Sequence, residues 1–307
     1  MATVDYEPLC KPEELDRVEE LRTSAFKQLG WEQVEEASAE PLFMRECLLR
    51  YMRARPTIAA ATKMLLASVQ WRREFDLEQR LREWQEDHSP EAERLRAAWC
   101  CGVHGVDRRG CPVYYAQYGQ MDMSAIMSDA GMERVMGIAL SEQRQIEDGL
   151  LSVAKATGKH PVQVICVADF ALMEWRRASR SVKPFMALSR VLDDHFPERL
   201  HVAIVARAPR VFTGIYSIAQ PFLAADTKAK VRICGRSDDH CAVLAEFVPV
   251  ENIPTFLSGE ATAPDEQANL DKSKETASGG DIDEVAFLPG EAETPSTAAA
   301  LGLDGKD

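Results

Sequence analysis

HFPERLHVAIVARAPRVFTGIYSIAQPFL, residues 195–223, is the stretch on which the fold turns. Its first half, HVAIVARAP (201–209), is an apolar run too short for a helix and reads as a strand buried on both faces. Its second half, VFTGIYSIAQPFL (211–223), reads as a short helix closed by Pro221. Upstream, Val162, Val164, Ile165, Cys166 and Val167 of HPVQVICVADF form a second such strand, ending at Asp169. Downstream, KVRICG (230–235) forms a third. The segment 174–195 between the first two strands is amphipathic, with Trp175, Ala178, Val182, Met186, Ser189 and Leu192 on one side. Strands that are continuously apolar rather than alternating, separated by helices, predict a mostly parallel sheet covered by helices, an α/β fold.

Further upstream, DRRGCPVYYAQYG (107–119) places a turn at Asp107–Gly110 before an apolar strand, Val113–Ala116. A long helix is expected over roughly Met132–Ala156, and a polar one over LEQRLREWQEDHSPEAERLRAAW (77–99). Residues 13–73 read as helices. In LFMRECLLRYMRAR, Met44, Leu48 and Met52 fall on one face, while Arg45, Arg50 and Arg53 point elsewhere. Pro56 stops that helix, and Thr57 caps a next one whose stripe is Ile58, Ala61, Leu65 and Val69. The domains expected are an N-terminal helical lobe over 13–80 and an α/β domain over 95–260.

Beyond residue 260 the composition changes. Residues 261–307 carry eleven acids and three lysines, a net −8, so only −5 of the chain's −13 falls on residues 1–260. Low hydrophobicity with one-sided charge predicts a disordered acidic tail, a candidate attachment point for a protein partner. The acidic balance argues against nucleic acid as a partner. No run approaches the ~18 apolar residues of a membrane helix, and the N-terminus shows no secretory signal. The eight cysteines are unevenly spaced and form no CxxC pair, as in an intracellular, cytoplasmic protein with reduced thiols.

Enzyme signatures are absent: no GxSxG, GxxxxGK[ST], HExxH or GxGxxG occurs. Cys100, Cys101, His104 and Cys111 lie close together, but adjacent cysteines direct one ligand away, so a packed thiol cluster is expected, with no metal and no cofactor. Helix 211–223 is apolar around nearly its whole circumference, with no charge between Arg210 and Asp226. It is either a fully buried core helix or one that covers an apolar cavity and meets a membrane with its other face. Arg176, Arg180, Lys183 and Arg190 form a basic stripe, either a solvated face or a patch for anionic lipid headgroups.

Six segments, LLRYMRAR (48–55) with WRREF (71–75), DRRGCPVYYAQYG, VICVADF (164–170), HFPERLHVAIVARAPRVFTGIYSIAQPFL, KVRICG and NIPTFLSG (252–259), follow in the order of a known family. Over residues 42–259 the chain resembles the CRAL-TRIO lipid-binding family of phosphatidylinositol, tocopherol and retinal carriers. The resemblance implies a helical lobe beside an α/β lobe whose sheet floors an apolar lipid pocket, with VFTGIYSIAQPFL as the gating helix. It implies a carrier rather than an enzyme, holding one hydrophobic ligand, most readily phosphatidylinositol, and exchanging it as a peripheral protein at a membrane surface. Carried over by position, Arg55, Glu198, Thr227 and Lys230 would meet the headgroup. Tyr114, Cys166, Val205, Phe212, Ile215, Ile218 and Phe222 would form the pocket and gate, and Arg176, Arg180 and Lys183 would face the membrane. Arg207 stands where the family usually has Asn, Pro56 where a second basic residue often follows, and Val164 and Cys166 where choline-lipid binders offer hydroxyls. The alternative reading is a lipid-sensing scaffold or regulator acting through the acidic tail.

Overall fold

The computed structural model describes residues 11–30, 41–158, 161–222, 228–235 and 240–257. The acidic tail and Thr227 lie outside them. At the centre is a five-stranded sheet in the order β1-β2-β3-β4-β5. Its strands are β1 (Cys101–Val106), β2 (Pro112–Ala116), β3 (Val164–Asp169), β4 (Leu200–Ala208) and β5 (Val231–Gly235). Only β1 runs antiparallel to its neighbour; β2 to β5 are parallel, with Val113 opposite Ile165, Cys166 opposite Ala203 and Val205 opposite Ile233. The mostly parallel α/β class expected from the apolar runs is therefore the one observed.

The two faces of the sheet are built differently. Ile165, Val167, Val202 and Ile204 point to one side and pack with Leu244 and Val248, at the end of α9 (His240–Phe247), and with Ile253 and Leu257. Cys166, Ala168, Ala203 and Val205 point to the other, beneath α6 (Met123–Thr157), α7 (Trp175–His195) and α8 (Arg210–Ala219). Period-two alternation on a strand covered on both sides produces this division. Large branched side chains fill one face, and small ones leave room on the other.

The N-terminal helices α1 (Pro12–Leu29), α2 (Arg45–Ala54) and α3 (Ile58–Glu74) share a core of Val18, Leu21, Leu48, Met52, Leu65 and Val69. Thr57 Oγ1 accepts from the Ala60 amide and starts α3 as expected. Helices α4 (Leu77–Glu86) and α5 (Pro90–Ala98) divide the polar segment, because Ser89 accepts from the Ala92 amide and Pro90 opens the second helix.

Several expectations need correction. Met44 is not on the buried stripe but is the exposed residue before α2. Arg50 does not point away: it is buried with Arg72 and Arg199 around Glu147, whose Oε1 accepts from Arg50 at 3.1 Å and Arg199 at 2.9 Å. Helix α6 consists of two helical stretches joined at Gly131, whose φ 79° and ψ 157° are not helical; the second starts at Met132, where the helix was expected, and the stretch before it from Met123 was not foreseen. Strand β1, with two glycines and a histidine in CGVHGV, carries too weak a pattern for sequence reading to find.

Candidate functional site: an apolar chamber beneath helix α8

Between the small-residue face of the sheet and helices α7 and α8 lies a cavity of about 260 Å³. Cys166, Ala168, Ala203, Val205 and Val231 floor it; Ala178, Val182 and Met186 of α7 wall it; Phe212 and Tyr216 of α8 close it. Of the side of α7 read as apolar, Ala178, Val182 and Met186 thus face this cavity, whereas Leu192 packs with the cluster that holds Met136 and Leu140 of α6. Aromatic rings frame the opening: Phe212 packs on Phe170 at 4.6 Å and on Tyr216 at 5.6 Å, and Tyr118 meets Phe170 and Phe185 at 5.8 and 5.4 Å.

Helix α8 leaves β4 through Arg207, a non-glycine residue at φ 53°. Its guanidinium donates to both Asp169 oxygens, at 2.9 and 2.5 Å, which anchors the left-handed backbone at the foot of the helix. Gly214, bare of a side chain, sits against the Trp175 ring. Trp175 and Leu172 are 40% and 48% exposed, large apolar groups standing in solvent beside the opening. Arg176, Arg180 and Lys183 are exposed on the same stretch of α7, and Arg180 donates to Asp122 at 3.2 Å. Arg177, the basic residue beside that stripe, lines the cavity and donates to the backbone carbonyl of Leu172.

Of the residues carried over for a headgroup, the structure brings two together. Lys230 Nζ donates to Glu198 Oε2 at 3.0 Å, and Gln163 donates to the same oxygen at 3.3 Å. This pair lies where β3, β4 and β5 begin, next to Val231 on the cavity floor. His201 lies nearby; burial first, then the Arg109 charge, hold its pKa down at about 4. Arg55 is elsewhere: it follows α2, is exposed, and donates to the Ala54 carbonyl at 2.8 Å. Thr227 lies outside the described residues, as do the side chains of Ile215, Ile218 and Phe222. Among the pocket residues, Cys166, Val205 and Phe212 line the chamber directly, whereas Tyr114 stands behind it and donates to Glu142 Oε2 at 2.8 Å.

Glu142 escaped sequence reading. It is 6% exposed, and its other oxygen accepts from Trp99 Nε1 at 2.8 Å. Burial pushes its carboxyl up to about 7, against the pull of the Trp99 and Tyr114 donors. The available signal was an acid set within the apolar stripe Val135, Ala139, Ile146 and Leu150 of α6. Burial likewise pushes the Cys166 thiol up to about 12, so it is an uncharged apolar surface at neutral pH. The Cys100–Cys111 group is dispersed: Cys101 Sγ lies 3.4 Å from Met121 Sδ, while Cys111 packs with Ile146, Leu150 and Val164. Among the described residues no three His, Cys, Asp or Glu side chains converge as metal ligands, and no helix is long and apolar enough to cross a membrane.

Comparison with known proteins places this geometry. The model of the CRAL/TRIO domain matches residues 96–259, more than half of the chain. The CRAL-TRIO domain-containing protein T23G5.2 of Caenorhabditis elegans is 30% identical over 218 residues, covering 69% of this chain and 29% of its own length. Protein real-time of Aedes aegypti is 29% identical over 224 residues, covering 70% and 33%. The phosphatidylinositol/phosphatidylcholine transfer protein SFH4 of Arabidopsis thaliana is 25% identical over 224 residues, covering 71% and 36%. The chain thus spans about a third of the length of these relatives. A crystal structure of Sfh5 superposes with a TM-score of 0.55 at 16% identity, over 73% of this chain and 80% of that one, which bears on the fold alone. A mostly parallel sheet with its small side chains turned toward a helix-covered apolar chamber, matched by the domain model across that whole region, makes this chain a member of the CRAL/TRIO domain family.

Proposed function

We propose that this chain holds one lipid in the chamber beneath α8 and exchanges it at a membrane surface, with α8 as the gate. The observation that carries the reading is the chamber itself: its floor, walls and cover are almost wholly apolar, and the CRAL/TRIO family is one of lipid-binding and lipid-transfer modules rather than enzymes. An apolar chamber of this size inside an otherwise close-packed protein favours apolar matter over water as its content.

The membrane half of the proposal is supported by what surrounds the opening. Trp175 and Leu172 are exposed at the start of α7, and Arg176 and Lys183 are exposed along its first three turns. Apolar groups that enter the interface, next to cations that meet anionic headgroups, suit a protein that docks peripherally with its gate against the bilayer. For the ligand we propose phosphatidylinositol. The half-buried Lys230–Glu198 pair, next in sequence to Val231 of the cavity lining, supplies a cation for phosphate and a carboxylate for an inositol hydroxyl, and relatives named as phosphatidylinositol/phosphatidylcholine transfer proteins share the domain.

The test is native mass spectrometry of the full chain after incubation with vesicles of mixed phospholipids. One phosphatidylinositol per chain is the expected result. A different bound lipid discards the headgroup assignment and retains the carrier. No bound lipid from any vesicle rejects the carrier.

A further inference from the structure

The start of α7 combines two kinds of exposed group. Leu172 and Trp175 are large and apolar, and Arg176, Arg180 and Lys183 follow them. Glu174, the one acid between Leu172 and Arg190, lies 3.6 Å from Arg177, and Arg180 has Asp122 at 3.2 Å. Arg176 and Lys183 make no side-chain hydrogen bond or ion pair among the described residues. In the groove between α4, α5 and α6, by contrast, the cations are taken: Arg96 by Glu93 at 2.7 Å and Arg134 by Asp87 at 3.1 Å. The first turn of α7 also contains no acid, so Arg176 and Arg177 sit against the positive end of the helix dipole, where an anion is favoured. This face suits a partner that is acidic and apolar at once.

The chain itself contains such a segment. Residues 281–293, DIDEVAFLPGEAE, hold five acids and no cation, with Ile282, Val285, Phe287 and Leu288 set among them. They lie outside the described residues, and 23 residues separate Asp281 from Leu257. A linker of that length reaches about 75 Å when extended, against a radius of gyration of about 18 Å for a domain of about 260 residues. Every face of the domain is therefore within range, and charge and polarity decide among them. The spacing agrees as well. Arg176 and Lys183 are separated by about 10 Å along a helix, as Asp281 and Glu284 are along an extended chain.

We infer that residues 281–293 dock on the exposed face at the start of α7 and compete there with a membrane surface. Laid antiparallel to the helix, Asp281 meets Lys183, Glu284 meets Arg176, and Phe287 with Leu288 covers Trp175 and Leu172. The blocking role rests on the membrane face proposed above; the contact between the segment and α7 does not.

The contact is tested on the full chain without vesicles, by carbodiimide coupling of lysine amines to adjacent carboxylates and peptide mass spectrometry. Lys183 is expected to be joined to Asp281, Asp283 or Glu284 several times more often than the exposed Lys63 or Lys155 is. Phe287→Ser with Leu288→Ser, which leaves every charge in place, should lower that yield severalfold. An equal mixture of nitrogen-15-labelled and unlabelled chain separates the occupants: cross-links of hybrid mass assign the face to a second copy and overturn the inference. Cross-links spread evenly over the lysines, or a yield that the variant does not lower, overturn it too. Vesicles containing phosphatidylserine then read the blocking role. The variant should bind them about fivefold more tightly than the native chain, the gain that follows when about four chains in five hold the contact. Equal or weaker binding, with the cross-links present, overturns the blocking role. Binding by neither chain overturns the membrane reading instead, and the contact stands on its cross-links.

Discussion

Glu147 is the carboxylate at the centre of three buried arginines. Burial alone would push its pKa up, but Arg199 and Arg50 more than reverse this and hold it well below the usual carboxylate range. Burial and the neighbouring Arg50 charge hold the pKa of Arg199 down at about 10, and Phe196 lies beneath the guanidinium planes of both Arg72 and Arg199. Removing one partner of such a group leaves uncompensated buried charge, so Glu147→Gln should cost about 3–5 kcal/mol, read by urea denaturation. Glu142 behaves in the opposite sense. Its folded pKa, about 7, lies above the ordinary value of 4.5, so the native state binds the extra proton between those limits. Stability from this group is therefore present at low pH and declines as pH rises from about 4.5 to 7, by about 3 kcal/mol in total. Comparing the pH dependence of unfolding between the native chain and Glu142→Gln isolates the effect. A difference that grows with falling pH, to the native chain's advantage, is expected; a flat difference contradicts it. His195, whose pKa burial and Arg72 hold at about 4, acts in the reverse direction in both proteins and cancels.

Among the elements, α6 shows how one residue can overrule a pattern. In an unbroken helix, replacing glycine with alanine gains up to about 1 kcal/mol. Gly131 lies at φ 79° and ψ 157°, a region open almost only to glycine, so Gly131→Ala should destabilise by about 1–3 kcal/mol in denaturant titration. The helix expected from about Met132 therefore coincides with the stretch after this break, whereas the stretch before it, from Met123, escaped sequence reading. The strands were legible because their apolar runs are local. The partners of Arg50 and Glu142 were not, because Glu147 lies 97 residues from Arg50 and Tyr114 lies 28 from Glu142. Charged residues therefore read as solvent-facing until the fold supplied their partners. The small side chains of the cavity floor, Cys166, Ala168 and Ala203, were visible as letters, but their vacancy depends on what α7 and α8 place above them. The two faces of β4 should accordingly respond in opposite ways. Ile204→Ala, on the filled face, should cost about 2–5 kcal/mol and leave bound lipid unchanged. Ala203→Phe, on the open face, should leave stability nearly intact and abolish lipid uptake from vesicles.

At the scale of the whole molecule, the proposed lipid chamber and the proposed membrane face are different surfaces, so the two proposals can be tested separately. Leu172 and Trp175 stand outside the chamber opening at 48% and 40% exposure, and Arg176 and Lys183 project beside them. If docking were only electrostatic, each cation would contribute about 1 kcal/mol at an anionic surface, and raised salt would remove most of the binding. Burial of two large apolar side chains contributes roughly 1.5–3 kcal/mol each when complete, and salt does not screen it. Both contributions together predict vesicle binding that weakens with salt but does not vanish. Arg176→Glu with Lys183→Glu should abolish the salt dependence and leave a residual affinity. Leu172→Asp with Trp175→Asp should lower binding at least tenfold at every salt concentration, measured by co-sedimentation with vesicles containing phosphatidylserine. Neither pair touches the chamber floor, so lipid supplied in detergent should load both variants as it loads the native chain. Ala203→Phe should show the mirror image, docking normally while carrying nothing. Equal loss of docking and loading in all three variants would mean that the opening and the chamber act as one unit, and the gate would have to be placed elsewhere than α8.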